Sequence, residues 1–379
     1  MVRSLPFLAE AQRLVLSRRL SDATALIQER LGGASRPVAG APDGLRGPTI
    51  ELTVEAVKPA RGKPPASEPT LRTRPRFAPH APIHPGRAAE PSPDMPRGAE
   101  FARLVHEGPA GRRAYRLYVP AAEAKGPRPL VVMLHGCTQN PEDFARGTRM
   151  NVVAEEANVL VAYPEQDRSA NPNLCWNWFD PAHQDGGTGE PAIVAGIVED
   201  IARRHAVDRR RIFAAGLSAG GAMAATLGST RPDLFAAVGI HSGLPHASAR
   251  DVATALAVMR TGKAGANGAM PPRVPAIILH GARDTTVHPA NGERIAGLDA
   301  ARHGSGERIT GTENGRDFTR TTLPGGGRTQ PREHWRIEGL AHAWSGGDGA
   351  GSHADPAGPD ASREMLRFFL EQAASRTRG

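Results

Sequence analysis

The chain has 379 residues, 23% of them charged and only 4% aromatic, with a formal net charge of +8. Its motif-bearing part has neither a clustered basic stripe nor a stacking platform, so the positive charge reads as a solvated surface and no nucleic-acid partner is expected. It has no run of 18 apolar residues, and the apolar start of Met1 to Leu20 is broken by Glu10, Arg13, Arg18 and Arg19. That excludes a spanning helix, argues against a signal peptide and predicts a soluble cytoplasmic protein with no membrane partner.

Residues 1–33 carry apolar side chains at helical spacing, Phe7, Leu8, Ala11, Leu14 and Val15, then Ala23, Leu26, Ile27 and Leu31, before Gly32-Gly33. This predicts a helical hairpin too short to bury its own apolar face. It is expected to dock on this chain, a second copy or a partner. Residues 34–97 follow with 14 prolines between Ala34 and Arg97. That composition predicts a disordered linker, read either as a tether or as a variable tail.

Residues 98–379 form the expected catalytic domain. Strands are predicted at Ala114–Val119, Leu130–Leu134, Val159–Tyr163, Arg211–Ala215, Ala236–Ile240, Ala276–Leu279 and His334–Ile337. Helices are predicted at Pro141–Ala157, Pro191–His205, Ala219–Gly228, Asn291–Arg302 and Asp360–Ala374. An antiparallel excursion is expected around Asp317–Leu323, turning at Gly325-Gly326-Gly327. Alternating strands and helices imply an α/β fold with a mostly parallel central sheet, helices on both faces and a small or absent lid, an order that suits an α/β-hydrolase.

The organising stretch is Gly216-Leu217-Ser218-Ala219-Gly220, between an apolar strand and a helix of small residues. It reads as a nucleophile elbow, in which a serine sits on a strained turn and glycines let strand and helix approach. With 43 glycines in the chain, roughly 0.2 such patterns are expected by chance, so the surrounding sequence has to decide. It does so in three places. After the strand ending at Leu134, His135-Gly136-Cys137-Thr138 is placed to offer the Cys137 N–H to an oxyanion, with the Ala219 N–H as second donor. Asp284, in the loop beyond the strand 276–279, is the expected triad acid. His342, just past a late strand, is the expected general base, with His288 as its rival because it lies near Asp284 in sequence.

His135 is expected to hold the loop, with a direct role toward substrate as the alternative. Cys175-Trp176-Asn177-Trp178-Phe179 carries two of the four tryptophans. Exposed, Trp176 and Trp178 would line a substrate crevice; buried, they would be core. Cys137 and Cys175 are the two cysteines. A disulfide between them is open, although a cytosolic protein is expected to keep both reduced. No His-Glu-x-x-His, Cys-x-x-Cys or Walker loop occurs, so neither metal nor cofactor is expected.

Leu134 to Gln139, Cys175 to Phe179, Gly216 to Gly221 and Gly339 to Gly347 together resemble the esterases of the polyhydroxybutyrate depolymerase family over roughly residues 100–375. The resemblance implies a serine hydrolase of short-chain polyhydroxyalkanoate esters, with Ser218, Asp284 and His342 as triad and Cys137 and Ala219 as oxyanion donors. It also implies relatives that are feruloyl or acetylxylan esterases, and an extracellular setting as the alternative to the cytoplasm. The other class of reading is a catalytically silent scaffold that binds granules through residues 1–97.

Overall fold

Every residue of Leu160–Pro164, Ala237–His241 and Ala276–Gly281 is buried, as are the last six of Arg128–Leu134 and of Val207–Leu217. Unbroken apolar runs of this kind belong to strands covered on both faces. In the computed structural model these strands are the centre of a sheet with ten strands among the described residues. The structure describes residues 95–263, 271–298, 306–327 and 329–376. The predicted hairpin 1–33 and all of the linker 34–97 except its last three residues lie outside them.

The strands are β1 (Glu100–Gly108), β2 (Gly111–Val119), β3 (Arg128–Leu134), β4 (Leu160–Pro164), β5 (Val207–Leu217), β6 (Ala237–His241), β7 (Ala276–Gly281), β8 (Glu307–Glu313), β9 (Arg316–Leu323) and β10 (Arg332–Ile337), with a small separate pair β11 (Trp344–Ser345) and β12 (Ala354–Asp355). The sheet order is β1-β2-β4-β3-β5-β6-β7-β10-β9-β8. The six strands from β4 to β10 in that order are parallel, and antiparallel hairpins extend the sheet at both ends.

Alternation along each strand divides the core in two. Leu130, Val132 and Leu134 share one layer with α3 (Gly189–Arg204), α4 (Ala219–Thr230), α5 (Val252–Thr261) and α6 (Ala290–Ala296). Val131 and Met133 share the other with α1 (Pro141–Thr148), α2 (Met150–Ala157) and α7 (Ala361–Arg376). Helices on both faces of a parallel sheet are the predicted α/β-hydrolase arrangement.

The structure corrects some predicted boundaries. The single helix predicted over Pro141–Ala157 is two, because Arg149 adopts φ 54° and its N–H closes the first helix onto Ala145 and Arg146. The helix predicted to Arg302 stops at Ala296, where Gly297 takes φ 80°; residues 299–305 lie outside the description. The excursion at β9 turns as predicted in the loop that holds Gly325-Gly326-Gly327, where the chain reverses into its antiparallel partner β10, and it also turns at Asn314-Gly315, both at positive φ, where β8 pairs with β9. Strands β1 and β8 were not predicted.

Candidate active site

In a parallel sheet all carboxyl ends of the strands open on one edge, so the loops after β3, β5, β7 and β10 are neighbours. Those loops carry Cys137, Ser218, Asp284 and His342 respectively. The pairings β3·β5, β5·β6, β6·β7 and β7·β10 bring them within a few strand spacings of one another.

Ser218 sits between β5 and α4 at φ 58°, ψ −119°. A serine in that region costs on the order of 1–3 kcal/mol, so the surroundings must hold it there. They do so from both sides. The Ser218 N–H donates to the His241 carbonyl at the end of β6 (2.9 Å), and the Ser218 carbonyl accepts from Ala222 N–H (2.9 Å) to start the helix. Glycine is required at both flanks. A Cβ at Gly216 would fall 2.5 Å from the Gly220 carbonyl oxygen, and one at Gly220 would run into the Leu134 carbonyl. The helix can therefore begin almost against β3 and β5, which leaves the serine at the turn's apex.

Asp284 is held by three donors. Its Oδ1 accepts from the N–H groups of Thr286 (2.9 Å) and Val287 (2.8 Å), and its Oδ2 from His342 Nδ1 (2.7 Å). Burial alone would raise its pKa. The hydrogen bonds from its histidine neighbours, the His342 charge and the Val287 N–H outweigh burial and hold it well below the ordinary carboxylate range. His280 adds to this surrounding: its Nε2 donates to the Val287 carbonyl (2.8 Å) and lies 3.5 Å from Asp284 Oδ2, too far to be the main donor. The His342 side chain is 13% exposed while that of Asp284 is fully covered, so the pair presents an imidazole outward and a carboxylate inward. His288, the rival base, is exposed; its Nδ1 accepts from Ala290 N–H at the entry to α6.

The turn after β3 leaves one backbone donor free. Gly136 N–H donates to Gln139 Oε1 (2.9 Å), Thr138 N–H to the Asn173 carbonyl (2.8 Å) and Gln139 N–H to the Gly136 carbonyl (3.3 Å). The Cys137 N–H meets no acceptor among the described residues. Ala219, as the first residue of α4, likewise has an N–H with no partner inside its helix. These are the two predicted oxyanion donors.

Cys137 and Cys175 form a disulfide, which resolves the pairing that the sequence leaves open. Trp176 and Trp178 are 0% and 5% exposed, so the reading in which they line an open crevice is corrected to the core reading. The reason is polar as well as apolar: the Trp176 indole N–H donates to the His135 carbonyl (3.1 Å), which pins the ring beneath the loop. His135 is itself buried, and burial pushes its pKa down to about 4. Its Nε2 accepts from Gln166 N–H (3.1 Å), which leaves Nδ1 to donate to the Gly136 carbonyl (2.8 Å). It shapes the loop and does not reach outward.

Sequence reasoning passed over the clasp between this turn and the segment after His342. Gln139 Nε2 donates to Asp143 Oδ2 (3.0 Å) and the Ser352 carbonyl (2.9 Å), and Ser352 N–H donates to Asp143 Oδ1 (2.8 Å). Only the polar residues Gln139 and Asn140 following the turn hinted at it. A cavity of about 1130 Å³ lies behind this clasp, beside Phe101, Arg146 and Gly349, and none of Ser218, Asp284 and His342 lines it. Among the described residues there is no cluster of His, Cys, Asp and Glu fit to hold a metal ion, and no helix long and apolar enough to cross a membrane.

An open, mostly parallel sheet with a serine on a positive-φ turn and an Asp–His pair on the same edge defines an α/β-hydrolase. The profile of the Esterase PHB depolymerase family matches residues 113–311, and the chain belongs to that family. It is 28% identical over 237 residues to the poly(3-hydroxyalkanoate) depolymerase C of Paucimonas lemoignei, a match covering 59% of this chain and 57% of that protein. It is 29% identical over 261 residues to the poly(3-hydroxybutyrate) depolymerase of Ralstonia pickettii, covering 61% and 52%. The chain thus spans little more than half the length of these relatives. The solved acetyl xylan esterase from Aspergillus awamori shares the fold, with a TM-score of 0.54, 20% identity, and coverage of 72% of this chain and 99% of that one.

Proposed function

We propose that this chain is a serine esterase that hydrolyses short-chain polyhydroxyalkanoate esters, poly(3-hydroxybutyrate) oligomers among them, through an acyl-enzyme. The observation that carries the reading is the His342 Nδ1–Asp284 Oδ2 hydrogen bond of 2.7 Å on the sheet edge where Ser218 is held at φ 58°. In this reading Asp284 fixes the imidazole tautomer and His342 takes the Ser218 hydroxyl proton. Ser218 Oγ attacks the ester carbonyl, and the N–H groups of Cys137 and Ala219 hold the oxyanion. The alcohol leaves with the proton from His342, and water repeats the sequence on the acyl-enzyme. No cofactor enters any of these steps.

The names of the two depolymerase relatives support a polyester as substrate. The thin cover supports a short acyl group, since between β6 and β7 the only helix among the described residues is α5. A long alkyl chain would need a deep apolar channel to gain about 0.8 kcal/mol per buried CH₂. The disulfide at the oxyanion turn supports an oxidising compartment over the reducing cytosol. Residues 1–97 are proposed to serve attachment to a partner, a granule or a second copy, and not chemistry.

The test is hydrolysis of p-nitrophenyl esters from acetate to palmitate and of 3-hydroxybutyrate oligomers, by the wild type and by Ser218→Ala. Rates should peak at roughly two to four acyl carbons, oligomers should be cleaved, and Ser218→Ala should abolish both activities. Rates climbing steadily toward palmitate would move the reading to a lipase. Cleavage of feruloyl or acetylxylan esters with oligomers untouched would move it to a carbohydrate esterase. Turnover undiminished in Ser218→Ala would remove the hydrolase reading altogether.

A further inference from the structure

Beneath the oxyanion turn lies a buried polar network that the proposed chemistry does not use. Glu190, the second residue of α3, is fully buried. Its Oε1 accepts from Gln166 Nε2 (2.5 Å) and Asn177 Nδ2 (2.8 Å), and its Oε2 from the Asn177 backbone N–H (2.7 Å). His183 Nδ1 stands 4.0 Å from Oε2, but it accepts from the Glu190 N–H (3.0 Å) and so offers the carboxylate no proton.

A carboxylate in such a place is costly unless all its acceptor sites are filled, and an apolar residue of similar size would serve packing better. What distinguishes Glu190 is where its donors lead. Gln166 also donates through Nε2 to the Cys175 carbonyl (2.8 Å) and through its backbone N–H to His135 Nε2 (3.1 Å). Asn177 follows Trp176, whose indole N–H holds the His135 carbonyl (3.1 Å). On its far side Gln166 Oε1 accepts from the buried Arg113 (2.5 Å), so the amide of Gln166 lies between a buried cation and a buried anion with its orientation fixed by both. Cys175 is in turn bonded to Cys137. Both ends of the turn that displays the Cys137 N–H, His135 on one side and Cys137 on the other, are thereby referred to Glu190.

We propose that Glu190, acting through Gln166 and Asn177, is a positioning residue that sets the place of the Cys137 N–H in the oxyanion hole. The proposal rests on the esterase reading above. Glu190 touches neither substrate nor the reacting atoms. Its effect is felt only when negative charge develops on the substrate oxygen, because a donor displaced by a fraction of an ångström still tolerates a neutral carbonyl but loses much of its hold on an oxyanion.

Glu190→Gln tests this, because one acceptor oxygen becomes an NH₂ facing the NH₂ of Gln166 or the donors of Asn177. The variant should lose roughly ten- to a hundred-fold in kcat on p-nitrophenyl butyrate, with KM within about twofold, since outright removal of one such donor costs about a hundred- to a thousand-fold. Its affinity for a trifluoromethyl ketone, which forms an oxyanion on Ser218, should fall by the same factor as kcat. Gln166→Met should behave alike, and the double variant should be no worse than the poorer single one. Should Glu190→Gln fail to fold, Gln166→Met carries the same comparison. Either variant folded with kcat within twofold of wild type overturns the proposal. So does a fall in kcat that leaves ketone affinity unchanged. Turnover in Ser218→Ala equal to wild type would overturn the esterase reading itself and this proposal with it, which separates the two failures.

Discussion

Replacing Asp284 by asparagine changes one atom and should nearly silence the enzyme. Oδ1 is fixed by the N–H groups of Thr286 and Val287 at 2.9 and 2.8 Å, so the asparagine carbonyl stays there and its NH₂ turns toward His342 Nδ1, now 2.7 Å from Oδ2. Two donors cannot share that contact. Nδ1 must accept, the ring proton moves to Nε2, and the nitrogen that would take the serine proton has no lone pair left. General-base catalysis contributes about 10²–10⁴-fold, and the equivalent change in the chymotrypsin-type triad costs about 10⁴. The expected loss in kcat is therefore about 10³–10⁴-fold, or about 4 to 5.5 kcal/mol at 1.36 kcal/mol per decade. KM should hardly move, because Asp284 is only 4% exposed and its bonds are all to the protein. The assay is steady-state hydrolysis of p-nitrophenyl butyrate, with active-site titration to exclude traces of wild type and circular dichroism to verify the fold. A folded Asp284→Asn within tenfold of wild type would refute the tautomer argument, as would His280→Gln costing as much as Asp284→Asn.

Acid should act on stability. His135, His241 and His334 are buried, and burial is the main cause pushing their pKa values down to about 4, 3 and 3. Their folded values lie below the unfolded value of ~6.5, so the unfolded chain binds more protons below that pH and stability falls as the medium is acidified from about 6.5 toward 4. Asp284 adds to the loss below about pH 4, since its depressed carboxyl stabilises the fold only while ionised. Melting temperatures that stay level from pH 7 to 4.5 would contradict this. EDTA should have no effect on turnover; activity lost to chelation and restored by zinc would point to different chemistry. His342→Ala should abolish turnover and His288→Ala should not. Cys137→Ser with Cys175→Ser opens a cross-link between residues 38 apart, worth about 4 kcal/mol by loop-closure entropy, and frees the oxyanion turn. Lower denaturant midpoint and lower kcat are both expected, and a double variant equal to wild type in both would show that the bond is ornamental.

The chemistry was more legible than the frame that holds it. Ser218, Asp284 and His342 follow apolar runs at strand ends, and a glycine either side of the serine marks the turn, so local sequence sufficed to nominate them. The buried place of Trp176 was not legible, because a bulky aromatic beside a cysteine and two asparagines suits a loop or a core equally well until its indole partner, the His135 carbonyl, is known. Glu190, Gln166 and Arg113 were invisible for a related reason: they are 24 and 53 residues apart, and each alone looks like a surface residue. The split between α1 and α2 rests on Arg149 at φ 54°, a left-handed conformation that an arginine does not advertise in sequence as a glycine would. The turn at Asn314-Gly315 is different. Asn-Gly is a strong local hairpin signal, and with the glycine triplet it bounds β9 by two antiparallel reversals.

The arm made by β8 and β9 bears on how these molecules meet one another. Among the described residues it leaves β8 as the last strand of the sheet, and Glu307, Arg308, Ile309 and Thr310 along it are all exposed, with charges at its start and Glu313 at its end. An exposed strand invites a neighbour to extend the sheet, and alternating charge is the usual deterrent, because a second copy would have to strip water from Glu307 and Arg308 to pair. Molecules at high concentration meet edge to edge far more often than in dilute solution. A charged margin would let them lie side by side and remain separate.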